Sequence, residues 1–357
     1  MDWRTSTPAQ SAYARGDVEE ALQEIDKQKF RKQDQLLYLL DKAVYLHAAG
    51  RYKESNAVFE KAHHLSDYLE SKYAHQEIAA AFTNETILPY SGETYERLLI
   101  EVYQMLNSAL MGNFKEALIE VRQYNTTLRR FFGSQIPKEF EDPFALMLAA
   151  TIWQANGLKD DARIDYQKAV RANPHAKAID NETNVIVIVA SGSSPVLEGE
   201  KKWIADILLE LPKVKIRTPN VAPVEIRVDG KPAGKTIPLS NINAMAENNL
   251  TKKLEVAKDH KFVKTAFKQW AEMQSYYSLK TRTGKISEAQ KQFEGLLAAA
   301  AISVLFNAFE EADLRIWSSL PANFQMFRLQ LSPGEHEIMG KKISVPEKGP
   351  LFILSKH

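Results

Sequence analysis

The chain has 357 residues, 45% of them hydrophobic and 25% charged, with 46 Lys plus Arg against 45 Asp plus Glu. A near-neutral chain gives no electrostatic reason to expect nucleic acid or an anionic membrane surface as partner, and at roughly 150 residues per domain its length fits two domains. It has no cysteine, which excludes disulfides, thiolate metal ligands and a cysteine nucleophile.

The opening residues, MDWRTSTPAQ, lack the basic region and apolar core of a signal peptide. The first half then repeats itself. Segments ARGDVEEALQEI, AAGRYKESNAVFEKA, LMGNFKEALIEV and ANGLKDDARIDYQKAVRANP align on Gly16, Gly50, Gly112 and Gly157. After each glycine an acid precedes a small residue (Ala21, Ser55, Ala117, Ala162), and a large apolar residue follows one turn later (Ile25, Phe59, Val121, Tyr166). This is the pattern of two antiparallel helices: glycine allows the tight turn, the small side chain lets the helices approach, and the large one fills the space beyond.

Gly16 to Gly50 spans the ~34-residue period of a tetratricopeptide repeat, and the last unit ends at Asn173-Pro174. The segments resemble that family. The wider later spacings leave room for an extra helix over 67–82 and for an insertion near 131–143, so the expected form is a decorated helical solenoid over residues 1–180. The resemblance implies a concave face built from the first helix of each pair, carrying Leu37, Leu40, Val44, Leu99, Val102 and Leu106. Co-chaperone members of the family hold a peptide carboxylate there with Lys and Asn. These aliphatic positions instead imply an apolar helix or strand, supplied either by a partner or by inserted segments of the chain itself.

The pattern changes after Pro174. NVIVIVA (184–190) reads as a strand, and GEKKWIADILLEL (199–211) as an amphipathic helix onto which Trp203 would pack. VKIRT and VEIRVDGKPAG alternate, with hairpin chemistry at Asp229-Gly230. Long helices are expected over 240–280 and 286–316. The end reads as three short strands, with turns at Ser332-Pro333-Gly334 and near Glu347-Lys348-Gly349. Residues 181–357 are therefore expected to form a small α+β domain with a mostly antiparallel sheet. The longest apolar run, 296–309, is shorter than the ~20 residues a membrane-spanning helix needs.

The chemical motifs fail on spacing. Gly192 and Gly199 stand too far apart for a phosphate loop, with Glu200 where lysine is needed; GKPAGKT (230–236) is one residue short. ASGSSP offers Ser191, Ser193 and Ser194 after a strand, but without the second glycine of a nucleophile elbow. His260 and His336 have no spacing to a serine. His63 and His64 point about 100° apart on a helix. In GEHEI, Glu335 and Glu337 share one strand face and His336 takes the other. The acidic clusters Asp160-Asp161 and Glu310-Glu311-Asp313 read as solvated helix faces. No catalytic residue, cofactor or metal site is expected.

Two blocks resemble an uncharacterised family of bacterial envelope proteins of outer-membrane lipoprotein type: ETILPYSGETYERLLIEVYQMLNSALMGNFKEALIEVRQYN (85–125) and ADLRIWSSLPANFQMFRLQLSPGEH (312–336). The loop SSPVLEGEK falls where those proteins carry a Pro-containing loop with an acid. The resemblance implies tetratricopeptide helices joined to a C-terminal α+β domain. It also implies a signal peptide and a lipid-bearing cysteine, neither of which is in this chain. The expected function is then a non-enzymatic periplasmic scaffold that binds another envelope protein, touching the membrane only through that lipid. Two alternatives stand beside it: a C-terminal enzyme or small-ligand domain with a pocket at Ser193, Glu198 or His260, and a cytosolic adaptor. Asp313 and Arg315 beside Trp317 form a polar pair that reads first as structure.

Overall fold

The computed structural model describes residues 7–73, 89–176, 183–204, 207–218, 221–259 and 314–356. Four helical hairpins follow one another: α1 (Pro8–Ala14) with α2 (Val18–Lys27), α3 (Gln35–Ala48) with α4 (Tyr52–Tyr73), α5 (Thr94–Leu110) with α6 (Phe114–Phe132), and α7 (Pro143–Ala155) with α8 (Lys159–Ala172). Each turns on the aligned glycine, at φ +85°, +77°, +73° and +79°, a conformation that costs glycine no Cβ clash. The small residues Ala21, Ser55, Ala117 and Ala162 are buried, as are Ile25, Phe59, Val121 and Tyr166. Successive hairpins touch, and Asn156 Nδ2 ties two of them by donating to the Phe114 carbonyl at 2.8 Å. Residues 67–73 continue α4 without a break, rather than opening a separate helix, and 74–88 lie outside the described residues.

The second half is sheet-rich. Strand β1 (Val185–Ser191) lies centrally in a four-stranded sheet of order β10-β1-β7-β6, with β6 at Ile237–Pro238, β7 at Asn323–Leu329 and β10 at Leu351–Lys356. It runs antiparallel to β7 and parallel to β10, with Val185 opposite Leu351. Its alternation explains why the whole run is apolar. Ile186 and Ile188 face one cluster shared with the helices, while Val185, Val187 and Val189 face another. That second cluster includes Val224, Ile226, Ile338 and Val345 from a four-stranded antiparallel sheet of order β5-β4-β8-β9 and the residues beside it. These strands are β4 (Glu225–Val228), β5 (Lys231–Lys235), β8 (Gly334–Ile338) and β9 (Lys341–Val345).

Three sequence expectations change here. Residues 199–211 are not helical: β2 (Val196–Ile204) and β3 (Ile207–Lys215) form a hairpin. In its register Gly199 stands opposite Pro212 and Lys201 opposite Glu210. Trp203 is therefore a strand residue opposite Leu208, with no helix after it to pack. The chain end holds four strands rather than three. The added turn is Met339-Gly340, at φ +52° and +76°, matching Asp229-Gly230 at +49° and +76°. Such turns need two residues at positive φ, and a methionine in the first place hid this one. Helix α9 (Ile242–Asp259) falls inside the expected 240–280. Residues 260–313, including His260, the expected helix from 286 and the apolar run 296–309, lie outside the described residues. Residues 314–316 are not helical. Among the described residues no helix is long and apolar enough to cross a membrane.

Candidate functional site

The six residues expected on a concave face are all buried: Leu37, Leu40 and Val44 on α3, and Leu99, Val102 and Leu106 on α5. They share one core cluster with Ile316, Trp317, Leu320 and Phe324. The face is thus covered by the chain itself, and these residues are not an open groove. What lies against it is an irregular strap, residues 314–322, that leads into β7. The Trp317 indole is fully buried and approaches Phe59 and Tyr103, with ring centroids at 5.9 and 5.8 Å. Phe324 stacks on Phe144 at 4.7 Å.

Polar groups pin the strap as well. The Trp317 backbone N–H donates to Glu96 Oε1 at 2.6 Å, while Tyr90 Oη donates to Glu96 Oε2 at 2.5 Å. Burial pushes the Glu96 carboxyl up to about 7, helped by the charge of Glu93 and opposed by these donors. Trp317 Nε1–H donates to Ser319 Oγ at 2.9 Å, and Ser319 donates in turn to Asp41 Oδ1 at 2.6 Å. Burial raises Asp41 to about 6, against the hydrogen bonds from Ser319 and Gln10. Arg315 pairs with Asp34 at 3.1 Å, both buried, and lies over the Tyr90 ring. Asp313 lies outside the described residues, so the observed partner of Arg315 comes from the helical half.

The loop ASGSSP meets this strap. Ser194 N–H donates to the Leu320 carbonyl at 2.9 Å, and Ala322 N–H donates to that of Ser191 at 3.1 Å. Gly192, at φ +71°, has space for no side chain: a Cβ there would lie 2.8 Å from Thr218 Cγ2 and 3.0 Å from Ala322 Cβ. The glycine serves close packing of three segments. Ser194 Oγ is buried among the Pro195, Trp317 and Ser318 carbonyls.

Beside the strap is a cavity of about 520 Å³. It lies between α1, α3 and α5 on one side, and the β1–β2 loop, Arg217 and the strap on the other. Arg217 is exposed and held in place: its Nε donates to the Ser194 carbonyl at 2.8 Å and Nη2 to the Ser318 carbonyl at 3.2 Å. Tyr45 borders the cavity but is fully buried, and its hydroxyl, shut off from the cavity, has no hydrogen-bond partner among the described residues. Ser193 lines the cavity; Glu198 instead pairs with Lys215 at 2.5 Å.

The other motif residues do not gather. His336 bonds Asp229 at 2.9 Å on the far hairpins, while Glu335 and Glu337 point to solvent. His63 neighbours Asp67 and Glu101, whereas His64 neighbours Glu60. In GKPAGKT, Gly230 makes the hairpin turn, Gly234 lies against the Phe327 ring, and Thr236 is buried and bonded to Gln325. Among the described residues no group of three or more His, Asp or Glu could hold a metal ion.

Sequence reasoning missed Arg217, Tyr45, Glu96 and Asp41. A lone acid inside an apolar helix, as in QLLYLLDKAVYLHA, is a readable sign of a buried bonded carboxylate; nothing local marks Arg217. No protein-family model matches the chain, and no curated protein matches it either.

Proposed function

We propose that this protein is a non-enzymatic scaffold of the bacterial cell envelope, built from tetratricopeptide-type repeats that organise the α+β half and bind another envelope protein. The observation that carries the reading is the gripped strap. Helical hairpins hold an irregular, non-helical segment on their inner face by apolar burial and by a side-chain bond to its backbone, a way in which repeats of this kind engage ligands. Because the chain fills its own inner face, the partner meets the outer helices, where Ile119 and Ile164 stand 63% and 46% exposed on α6 and α8.

A photo-crosslinking residue at Ile119 or Ile164, in cells making the natural gene product, should give one discrete adduct with an envelope protein. Absence of any adduct, with the protein in the cytosolic fraction, would refute the reading. A lipobox cysteine encoded upstream of Met1 would support the tether to the outer membrane.

A second reading is favoured by the cavity at Ser193: the α+β half binds a small ligand, positioned by the repeats. A volume of about 520 Å³ is within the ~300–1,000 Å³ typical of ligand sites, which also favour the junction of two structural units.

A further inference from the structure

The wall of the cavity carries two arginines, Arg15 and Arg217, and among the described residues that line it none is Asp or Glu. Arg217 is oriented by main chain. Its Nε donates to the Ser194 carbonyl and its Nη2 to the Ser318 carbonyl, while its Nη1 takes no partner among the described residues. Carbonyls fix a guanidinium without neutralising it. Asp41, whose charge acts on Arg217, is not on the wall. The two segments that hold Arg217 each bring a hydroxyl to the cavity as well. Ser193 is exposed, and its hydroxyl takes no partner among the described residues. Ser318 Oγ accepts from Gln10 Nε2 at 2.7 Å and keeps its own proton to donate. Arg15 comes from the α1–α2 turn. Its Nη2 pairs with Glu20 at 2.7 Å, but both side chains are open to solvent, where such a pair is weak.

The other polar groups of the wall are spent. Gln10 Nε2 also donates to Asp41, Ser319 donates to Asp41, and His47 Nδ1 is bonded to Asn107. The Tyr45 hydroxyl is shut off from the cavity, and the Tyr13 ring lies 4.7 Å from that of Tyr45. The loop backbone is spent too: the Ser193 and Ser194 N–H groups donate to Thr218 Oγ1 and to the Leu320 carbonyl. The accessible polar side chains are therefore two guanidiniums and two hydroxyls, all of them donors.

Charge and direction select the anion that answers them. A phosphate monoester carries about −1.5 to −2 near pH 7, against a single charge on a carboxylate. Its three terminal oxygens point three ways, whereas a carboxylate offers two in one plane, and the donors come from separate places in the chain. Guanidinium bonds to phosphate are charge-assisted and can be bidentate. The cavity has room beyond a phosphoryl group, and Val196, Leu197, Ile316 and Leu354 are also on its wall, so the phosphate carries an organic group.

Resting on the small-ligand reading above, we propose that this cavity binds a phosphate monoester, its phosphoryl oxygens held by Arg217, Arg15, Ser193 and Ser318 and its organic group against the apolar wall. No bond is made or broken.

Calorimetric titration of the full chain with hexyl phosphate, glycerol 3-phosphate, hexanoate, hexanol and inorganic phosphate tests this. One of the two esters should bind saturably at one site, about tenfold or more tighter than hexanoate or hexanol. Arg217→Gln should weaken it about tenfold, the worth of a hydrogen bond to a charged group. Ser193→Ala, at an exposed hydroxyl, should weaken it severalfold with an unchanged thermal midpoint, which keeps the test open where loss of Arg217 disturbs the strap. Preference for hexyl phosphate would support a lipid headgroup as the source, and preference for glycerol 3-phosphate a soluble ester. Equal binding of hexyl phosphate and hexanol, unmoved by Arg217→Gln and Ser193→Ala, would overturn the anion site and leave the small-ligand reading standing. Hexanoate as tight as hexyl phosphate would overturn the phosphate, and inorganic phosphate as tight as either ester would overturn the organic group. No saturable binding of any probe would overturn both the proposal and the reading it rests on.

Discussion

Replacing Trp317 with alanine empties the contact between the helical hairpins and the strap. The indole is fully buried, and a tryptophan removes roughly 200 Å² from water on burial. At about 25 cal/mol per Å² that is about 5 kcal/mol, an upper figure because the unfolded chain already hides some of this area. Measured Trp→Ala costs of about 3–5 kcal/mol agree. The Nε1–H bond to Ser319 is lost as well, whereas the backbone N–H bond to Glu96 survives. Total stability of folded proteins is only about 5–15 kcal/mol, so Trp317→Ala should bring the protein close to unfolding. Trp317→Phe keeps most of the ring and should cost about 1–2 kcal/mol. Urea titrations followed by far-ultraviolet circular dichroism measure both. A cost below about 1 kcal/mol for Trp317→Ala, with an unchanged denaturant slope, would show that the repeats do not hold the strap.

The buried acids set a pH dependence. Glu101 is lifted by burial from its ordinary 4.5 to about 8 in the folded protein. Between those values the unfolded chain has lost a proton that the folded chain keeps, so this group lowers stability progressively as pH rises from about 4.5 to about 8. Glu101→Gln should therefore match the parent near pH 4.5 and exceed it at pH 8, as read from urea midpoints at the two values. Gly192→Ala combines positive φ with overlap against Thr218 and Ala322 and should cost about 1–3 kcal/mol. Gly16→Ala meets nothing within 4 Å, so its thermal midpoint should fall less, with a cost of about 1 kcal/mol. Ser319→Ala breaks the relay from Trp317 to Asp41 and should cost about 1–3 kcal/mol by denaturant titration.

The helical half was legible because its signal is local. A glycine at positive φ, a small residue and a large one recur in the same order, and each has the burial that order implies. The apolar stripe of Leu37, Leu40, Val44, Leu99, Val102 and Leu106 reads in the sequence as a groove for an apolar segment, and in the structure all six are buried. Its occupant was not legible, because the strap is remote in sequence and no local pattern names a distant partner. Residues 199–211 misled in the other direction. Their apolar spacing fits a helix, and Pro212 just past the end reads as a helix stop; the hairpin is set by the pairing of β2 with β3, which no local periodicity announces. The ASGSSP loop departs from the phosphate-loop and nucleophile-elbow patterns in its spacing. That it stitches the strap to β1 was not legible, because this depends on backbone bonds with residues 320–322. Arg217 shares this difficulty, since its role is fixed by carbonyls from two separate segments.

The central place of β1 has a consequence for how the chain is made. Both of its hydrogen-bonded neighbours lie far downstream, β7 at Asn323–Leu329 and β10 at Leu351–Lys356. A nascent chain therefore emerges with VIVIVA unpaired and waits for those distant segments before the sheet can form. Pairings this distant are slow to form, and an apolar, β-branched run without charge or proline is the kind of segment that aggregates while exposed. Deleting β10 would leave that edge of β1 open, so a variant lacking Leu351–Lys356 should collect in the insoluble fraction.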